Sequence, residues 1–219
     1  KGANIKLEGA AERLKSDASQ AKSFAIKPTD FHGLTPKLMV KEGDSVKAGS
    51  PLFYDKYNEH VKFTSPVSGK VAEIVRGAKR KILEVRITAD GLNSCEQFNV
   101  SDLSSDVKVK ELLMASGFWA FLKQRPYDIL ANPQETPKAI FISAFDSAPL
   151  GADYDFILHG QKEAFQAGID ALRKLTKGKV HLNVSGSTKP DATFTEAKGV
   201  EQNTFTGPHP AGNVGIQIH

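Results

Sequence analysis

The feature that most limits how this chain can fold is a change of pattern after Asp90-Gly91. Before it, Val40-Lys41-Glu42-Gly43-Asp44-Ser45-Val46-Lys47-Ala48-Gly49-Ser50-Pro51-Leu52 sets glycine turn markers between short apolar runs. Ser65-Pro66-Val67-Ser68-Gly69-Lys70-Val71 repeats the device. Glycine reaches positive φ without a Cβ clash, so the backbone reverses at low cost at Gly43 and Gly49. Leu83, Val85 and Ile87 then alternate with Glu84, Arg86 and Thr88, the period of two of a strand with one buried face. Residues 31–90 are therefore expected to be all-β and built from two similar strand–turn halves, with residues 1–30 as an extended lead-in.

Beyond residue 91 the period changes. Residues 107–116 predict a helix, opened by Ser104-Ser105-Asp106 and stopped at Gly117, and 118–124 are expected to continue helically as far as Pro126. Asn132-Pro133 and Pro137 mark a linker. Residues 139–145 read as a buried strand. Residues 161–176 read as an amphipathic helix carrying Phe165, Gly168, Ile169, Leu172 and Leu175 on one face, with Gly178 as its stop. Residues 180–184 supply the next strand. Strand, helix, strand implies a right-handed βαβ unit and a parallel sheet. The expected division is thus a β domain with its lead-in at 1–100, a helical connector at 101–136 and a Rossmann-like α/β domain at 137–219. The chain also reads as a piece of a longer protein, ending inside or just after that α/β domain.

Several chemistries lack their residues. A net charge of +4, from 29 Lys and Arg against 25 Asp and Glu, is too weak and too interspersed for a nucleic-acid surface. The single cysteine, Cys95, forms no intrachain disulfide and cannot alone hold an iron–sulfur cluster or a Cys-rich zinc site. No apolar run approaches the ~18 residues of a membrane span. A dinucleotide site needs G-x-G-x-x-G after the first strand, yet the loop there is Asp146-Ser147-Ala148-Pro149, whose acid repels phosphate. Gly207 and Gly212 have P-loop spacing, but Asn213 and Val214 replace the Lys and Ser/Thr. No serine sits on a G-x-S-x-G elbow. The six histidines show no i, i+4 pair; His209, in a Gly/Pro-rich loop, stands out for a ligand or loop-bridging role. Asp153 and Asp155 flank Tyr154 as solvated acids or an acid–base pair. Arg76, Lys79, Arg80 and Lys81 form a basic hairpin loop, which is either a solvated turn or a docking point for an acidic partner or anionic lipid. Phe118 and Phe121 are expected to face the core, and Trp119 and Arg125 are residue types enriched at interface hot spots.

Two resemblances follow from these segments. Val40, Gly43-Asp44, Val46, Gly49 and Leu52, then Ser65-Pro66, Ser68-Gly69, Val71 and Ile74, resemble the biotinyl/lipoyl carrier domain, a barrel-sandwich hybrid. Asp55-Lys56 is similar to its lipoyl-lysine site, although Tyr57 departs from the pattern. The longer resemblance runs in order along nearly the whole chain. Gly117-Phe118-Trp119-Ala120-Phe121-Leu122-Lys123-Gln124-Arg125-Pro126-Tyr127, Asp146-Ser147-Ala148-Pro149-Leu150, Glu163-Ala164-Phe165-Gln166-Ala167-Gly168, Leu175-Thr176-Lys177-Gly178-Lys179-Val180-His181 and Gly207-Pro208-His209-Pro210-Ala211-Gly212 together resemble the A subunit of the bacterial Na⁺-translocating NADH:quinone oxidoreductase.

That resemblance implies a barrel-sandwich hybrid followed by a Rossmann-like domain in a peripheral subunit, without a transmembrane segment, on the cytoplasmic side of the bacterial cytoplasmic membrane. It implies a scaffold or docking role near the quinone-reducing end of a sodium-transporting complex, with other subunits as partners. Relatives that bind flavin carry a glycine-rich loop where this chain has 118–125, so no cofactor is expected here. Flavins and the iron–sulfur cluster are expected in partner subunits. Trp119, Arg125, Asp146, Pro149 and His209 are the candidates for contact with a partner or with quinone. No catalytic, cofactor-binding or metal-ligating residue is assigned. Two other readings stay open: a flavin-dependent NADH dehydrogenase module, and a carrier domain modified on Lys56.

Overall fold

Gly43 and Gly49 turn the chain at φ 89° and 94°, and the short apolar runs around such reversals become strands. A computed structural model describes residues 2–9 and 11–219 and divides the chain into two compact units. One is Asp17–Gln134; the other joins the residues up to Ser16 to Glu135–His219. The first contains strands β1 (Ser23–Ile26), β2 (Pro36–Leu38), β3 (Ser45–Val46), β4 (Pro51–Asp55), β5 (Asn58–Thr64), β6 (Gly69–Arg76) and β7 (Ile82–Ala89). They form an antiparallel sheet in the order β1-β7-β6-β3 and another in the order β2-β4-β5. The expected lead-in is thus partly a strand, since β1 pairs with β7 from Ser23↔Thr88 to Ile26↔Val85.

Alternation fills the core of this β unit with Leu52, Phe53, Val61, Phe63, Val71, Val85 and Ile87. Phe63 stacks on Phe53 (ring centroids 4.9 Å apart) and meets Phe31 edge-on at 4.7 Å, separations at which aromatic pairs attract beyond their buried area. One expected inward residue moves. The β6–β7 register shifts between Val75 and Arg76, so Ile82 is buried and Leu83 is only half-buried, covering Gly77. A one-residue slip exchanges the two faces of a strand.

The segment expected as a connector is part of the same unit. Helix α1 (Asp106–Ala115) is capped by Ser105, whose side chain accepts from Lys108 N, and it packs on β5. Gly117 ends the run at φ 84°, where an added Cβ would stand 2.6 Å from Thr64 Oγ1. The helix expected over 118–124 is instead a 3₁₀ turn, Phe118–Phe121, followed by the hairpin of β8 (Lys123–Gln124) and β9 (Ile129–Leu130). A left-handed residue breaks helical phase, so the inward face is reset after Gly117. Trp119 and Ala120 point in, and Phe118 and Phe121 point out, 62% and 75% exposed.

In the second unit β10 (Ile140–Ser143), β11 (Val180–Ser185) and β12 (Glu201–Phe205) make a parallel sheet in that order. Helices α2 (Tyr154–Ile157) and α3 (Lys162–Arg173) connect the first two strands, α4 (Ala192–Thr195) connects the next two, and α5 (Val214–Ile218) follows. Ala144, Leu182, Val184 and Phe194 form the buried centre, with Phe165 edge-on to Phe194. Central β11 is buried on both faces, whereas β10, paired on one side, is half-buried throughout rather than buried. Ile169 and Leu175 are buried as expected, but Gly168 faces open space. Asp153 is no free acid; it caps α2 by accepting from Phe156 N.

Candidate functional site

In an open parallel sheet, ligands bind beyond the carboxyl ends of the strands. Here that place is occupied by the chain itself. After β12 the loop 206–213 turns back to the end of β10, and its Gly212 amide donates to Ser147 Oγ at 2.8 Å. A Cβ at Gly212 would lie 2.4 Å from Ser147 N, so two backbones touch where a phosphate would need a gap. Ser147 Oγ also lies 3.1 Å from His209 Nδ1.

Beneath this loop a polar network runs across the sheet. Ser143 Oγ lies 2.9 Å from Phe145 O and 3.0 Å from Gly212 O, sharing its proton between them, and accepts from Gln217 Nε2 at 3.0 Å. Gln217 Nε2 donates as well to Ala211 O, and its Oε1 accepts from Asn183 Nδ2 at 2.9 Å. Asn183 Oδ1 accepts from Asn203 Nδ2 at 3.0 Å, and that amide is 3.2 Å from His181 Nδ1. Asn183 is 1% exposed. A buried polar side chain is tolerable only when its partners are present, and here they are. The N-terminal residues close the rim: Ala3 N donates to His209 O and His209 N donates to Asn4 Oδ1.

Of the residues singled out from sequence, Asp146 and His209 are thereby brought to one loop cluster, with Ser147 between them. Asp146 is exposed and accepts from Ala148 N at 2.8 Å; Pro149, exposed, follows in the same loop. The residues do not fit a flavin phosphate: the Gly212 amide is already committed and a carboxylate stands at the mouth. Trp119 and Arg125 belong to the β unit. Trp119 is 3% exposed and its indole donates to Ala131 O at 2.8 Å, so it packs within the β unit. Arg125 pairs with Asp128 at 3.4 Å in the β8–β9 hairpin. The outward aromatics beside it are Phe118, Phe121 and Tyr127; helical spacing had placed the first two inside.

Sequence reasoning also missed Asn183, Asn203 and Gln217. The available signal was an Asn in the run Val180-His181-Leu182-Asn183-Val184, since a polar residue inside a buried strand demands partners. Lys56 lies in the two-residue turn between β4 and β5, exposed, its ammonium 5.4 Å from the Tyr57 ring. Asp191 has the best-defined perturbed carboxyl. The His159 ring nitrogen 2.6 Å away and the Thr193 amide it caps hold it down to about 2. No group of three or more His, Cys, Asp or Glu among the described residues could hold a metal.

Comparison with known proteins agrees with this layout. Residues 1–90 match the model of the NqrA N-terminal barrel-sandwich hybrid domain, and residues 104–219 match that of the NqrA second alpha/beta domain. The chain belongs to the NqrA family. Over 223 residues it is 38% identical to the A subunit of the Na(+)-translocating NADH-quinone reductase of Vibrio vulnificus, and over 224 residues it is 39% identical to its counterpart in Yersinia pestis. In both cases all of this chain and 49% of the relative are covered. The chain thus spans about half the length of the curated relatives it matches. The first match falls on β1 to β7, and the second takes in α1 and the β8–β9 hairpin as well as the parallel sheet, so a barrel-sandwich hybrid followed by an α/β domain stands as expected. No helix among the described residues is long and apolar enough to cross a membrane.

Proposed function

We propose that this chain is the scaffold and docking part of a peripheral, cytoplasmic-side subunit in a Na⁺-translocating NADH:quinone oxidoreductase. It works near the quinone-reducing end, and the flavins and iron–sulfur cluster reside in partner subunits. The observation that carries this reading is the self-occupied crevice: Gly212 against Ser147, over a network in which each amide of Asn183 and Gln217 already has a partner. A Rossmann-like sheet filled in this way keeps its shape without holding a nucleotide. Names of relatives that are 38–39% identical support membership of the complex.

Docking is assigned to Phe118 and Phe121 with Arg125, because exposed aromatics and arginine form interface hot spots. Quinone contact is assigned to the rim formed by Asp146, Pro149 and His209. The tagged chain is expected to recover NADH- or quinone-reactive subunits from bacterial membranes, and Phe118→Asp/Phe121→Asp to lose them. Recovery of no such subunit by the unaltered chain sinks the proposal. Photolabelling by a quinone analogue that leaves residues 146–149 and 209 unmarked removes the quinone contact alone.

One observation favours a second reading. Lys56 occupies the tip of the β4–β5 hairpin, with β1–β4 before it and β5–β7 after it, as a carrier lysine would. Intact mass of protein from a native host decides this; an unmodified chain ends it.

A further inference from the structure

Four cations crowd the tip of the β6–β7 hairpin: Arg76, Lys79, Arg80 and Lys81, all exposed. Like charges this close repel one another, and neighbouring acids would ordinarily relieve them. The acids of these two strands are engaged elsewhere. Arg86 binds Glu73 at 2.7 Å and Glu84 at 2.8 Å, Lys27 stands 3.8 Å from Glu84, and the Arg86 hydrogen bond holds the Glu84 carboxyl below its ordinary value. Glu42 accepts from Ile74 N. Among the described residues no ion pair reaches any of the four tip cations.

The backbone is also set for display. Lys79 and Arg80 hold φ 53° and 58°, a left-handed region that residues with a side chain seldom occupy. Gly77 N donates to Lys81 O at 2.8 Å, and Arg76 donates to Arg80 O at 3.3 Å. The result is a short, closed, convex turn with its charge outward.

We propose that this tip is an electrostatic docking surface for anionic lipid headgroups. Lysine is depleted in protein–protein interfaces, whose centres need apolar or aromatic side chains, and nothing apolar larger than Ala78 stands within residues 76–81. Nucleic acid calls for stacking aromatics, and the tip has none. A dense cluster of four basic residues without apolar company suits a lipid surface, where attraction is summed over mobile charges and needs no matched shape. The surface requires no partner subunit, so its test is separate from that of the docking role above.

The test is sedimentation of the 219-residue chain with phosphatidylcholine vesicles, with and without phosphatidylserine, at physiological salt. Binding is expected only with phosphatidylserine and is expected to fade as salt screens it. Lys79→Gly/Arg80→Gly relieves the left-handed backbone and so keeps the fold, and it is expected to weaken partitioning ~25-fold at roughly fivefold per charge. Lys177→Gln/Lys189→Gln removes the same charge from the other unit and is expected to change little. The proposal is overturned if the unaltered chain ignores phosphatidylserine, if the glycine variant binds as well, or if the control loses as much. Retention on polyglutamate without vesicle binding also overturns it, in favour of an acidic protein partner.

Discussion

The two units hold their centres by opposite means. In the β unit the innermost positions are apolar: Leu52, Phe53, Val61, Val85 and Ile87 have no exposed surface. In the α/β unit the central strand carries an equally buried Asn183, tied through Gln217 to Ser143 and the returning loop. An apolar core gains from every buried carbon and tolerates some imprecision. A buried amide network holds one arrangement or loses heavily, because a stranded donor or acceptor pays its full desolvation. The β unit thus rests on bulk apolar burial, and the α/β unit on one specific polar closure.

The largest test of that contrast is Phe53→Ala. Loss of a ring stacked at 4.9 Å on Phe63 is expected to cost the β unit roughly 3–5 kcal/mol. The only tryptophan, Trp119, lies in this unit, so its fluorescence during urea unfolding reads the loss directly. Amide exchange of β11 is expected to stay unchanged. If β11 loses protection in parallel, the two units share one transition and the comparison fails.

Asn183→Leu probes the other side. It leaves Gln217 Oε1 without its donor, at roughly 1–3 kcal/mol for the stranded group, and takes from Asn203 Nδ2 one of its acceptors while Glu201 O remains within reach. Protection of β11 is expected to fall while the Trp119 transition holds. The double change Asn183→Leu/Gln217→Leu is expected to be milder than the sum of the two single changes, since paired removal strands fewer partners. Additive losses would mean that the network is a set of independent contacts.

How much of this was legible follows from how local each signal is. Glycine turns and period-two alternation specify β4 to β7 within a few residues, and the 161–176 helix announces itself by spacing. Identity was legible because several short motifs occur in order. The outward turn of Phe118 and Phe121 was not, because Gly117 at φ 84° resets the phase and only a distant acceptor, Ala131 O, fixes Trp119 inward. The half-buried state of β10 depends on sheet order, which no local pattern contains. The crevice closure needed Ser147 and Gly212, 65 residues apart, to meet. His209 and Asp146 were picked by loop composition, while Asn183, Asn203 and Gln217 form their network only across three separate elements.

A smaller effect separates the β sheets from the helix appended to them. Ser105→Ala removes the acceptor for Lys108 N and is expected to cost about 1 kcal/mol. Because α1 leads into the Trp119 turn, a local loss would appear as a Trp119 shift at low urea, ahead of the main transition. A single unbroken transition, moved as a whole, would show instead that α1 and the strands melt together.

The smallest expected effect is acid sensitivity, and it too divides the units. Asp191 titrates near 2 when folded against 3.8 for an ordinary aspartate, so the folded form binds its proton less readily than the unfolded one. Its stabilisation is complete above pH 3.8 and is lost as pH falls towards 2. Asp191→Asn keeps an N-cap side chain on α4 but cannot titrate or pair with His159. Its stability deficit, read from β11 exchange, is therefore expected to be constant above that window and to vanish at its lower end. A deficit that persists unchanged at pH 2 would place it in the cap geometry at Thr193 N and not in the ionisation of Asp191. The acid response of the α/β unit would then have to come from elsewhere, with the Lys179–Glu201 pair, which lowers the Glu201 carboxyl in the same direction, as the next group to replace.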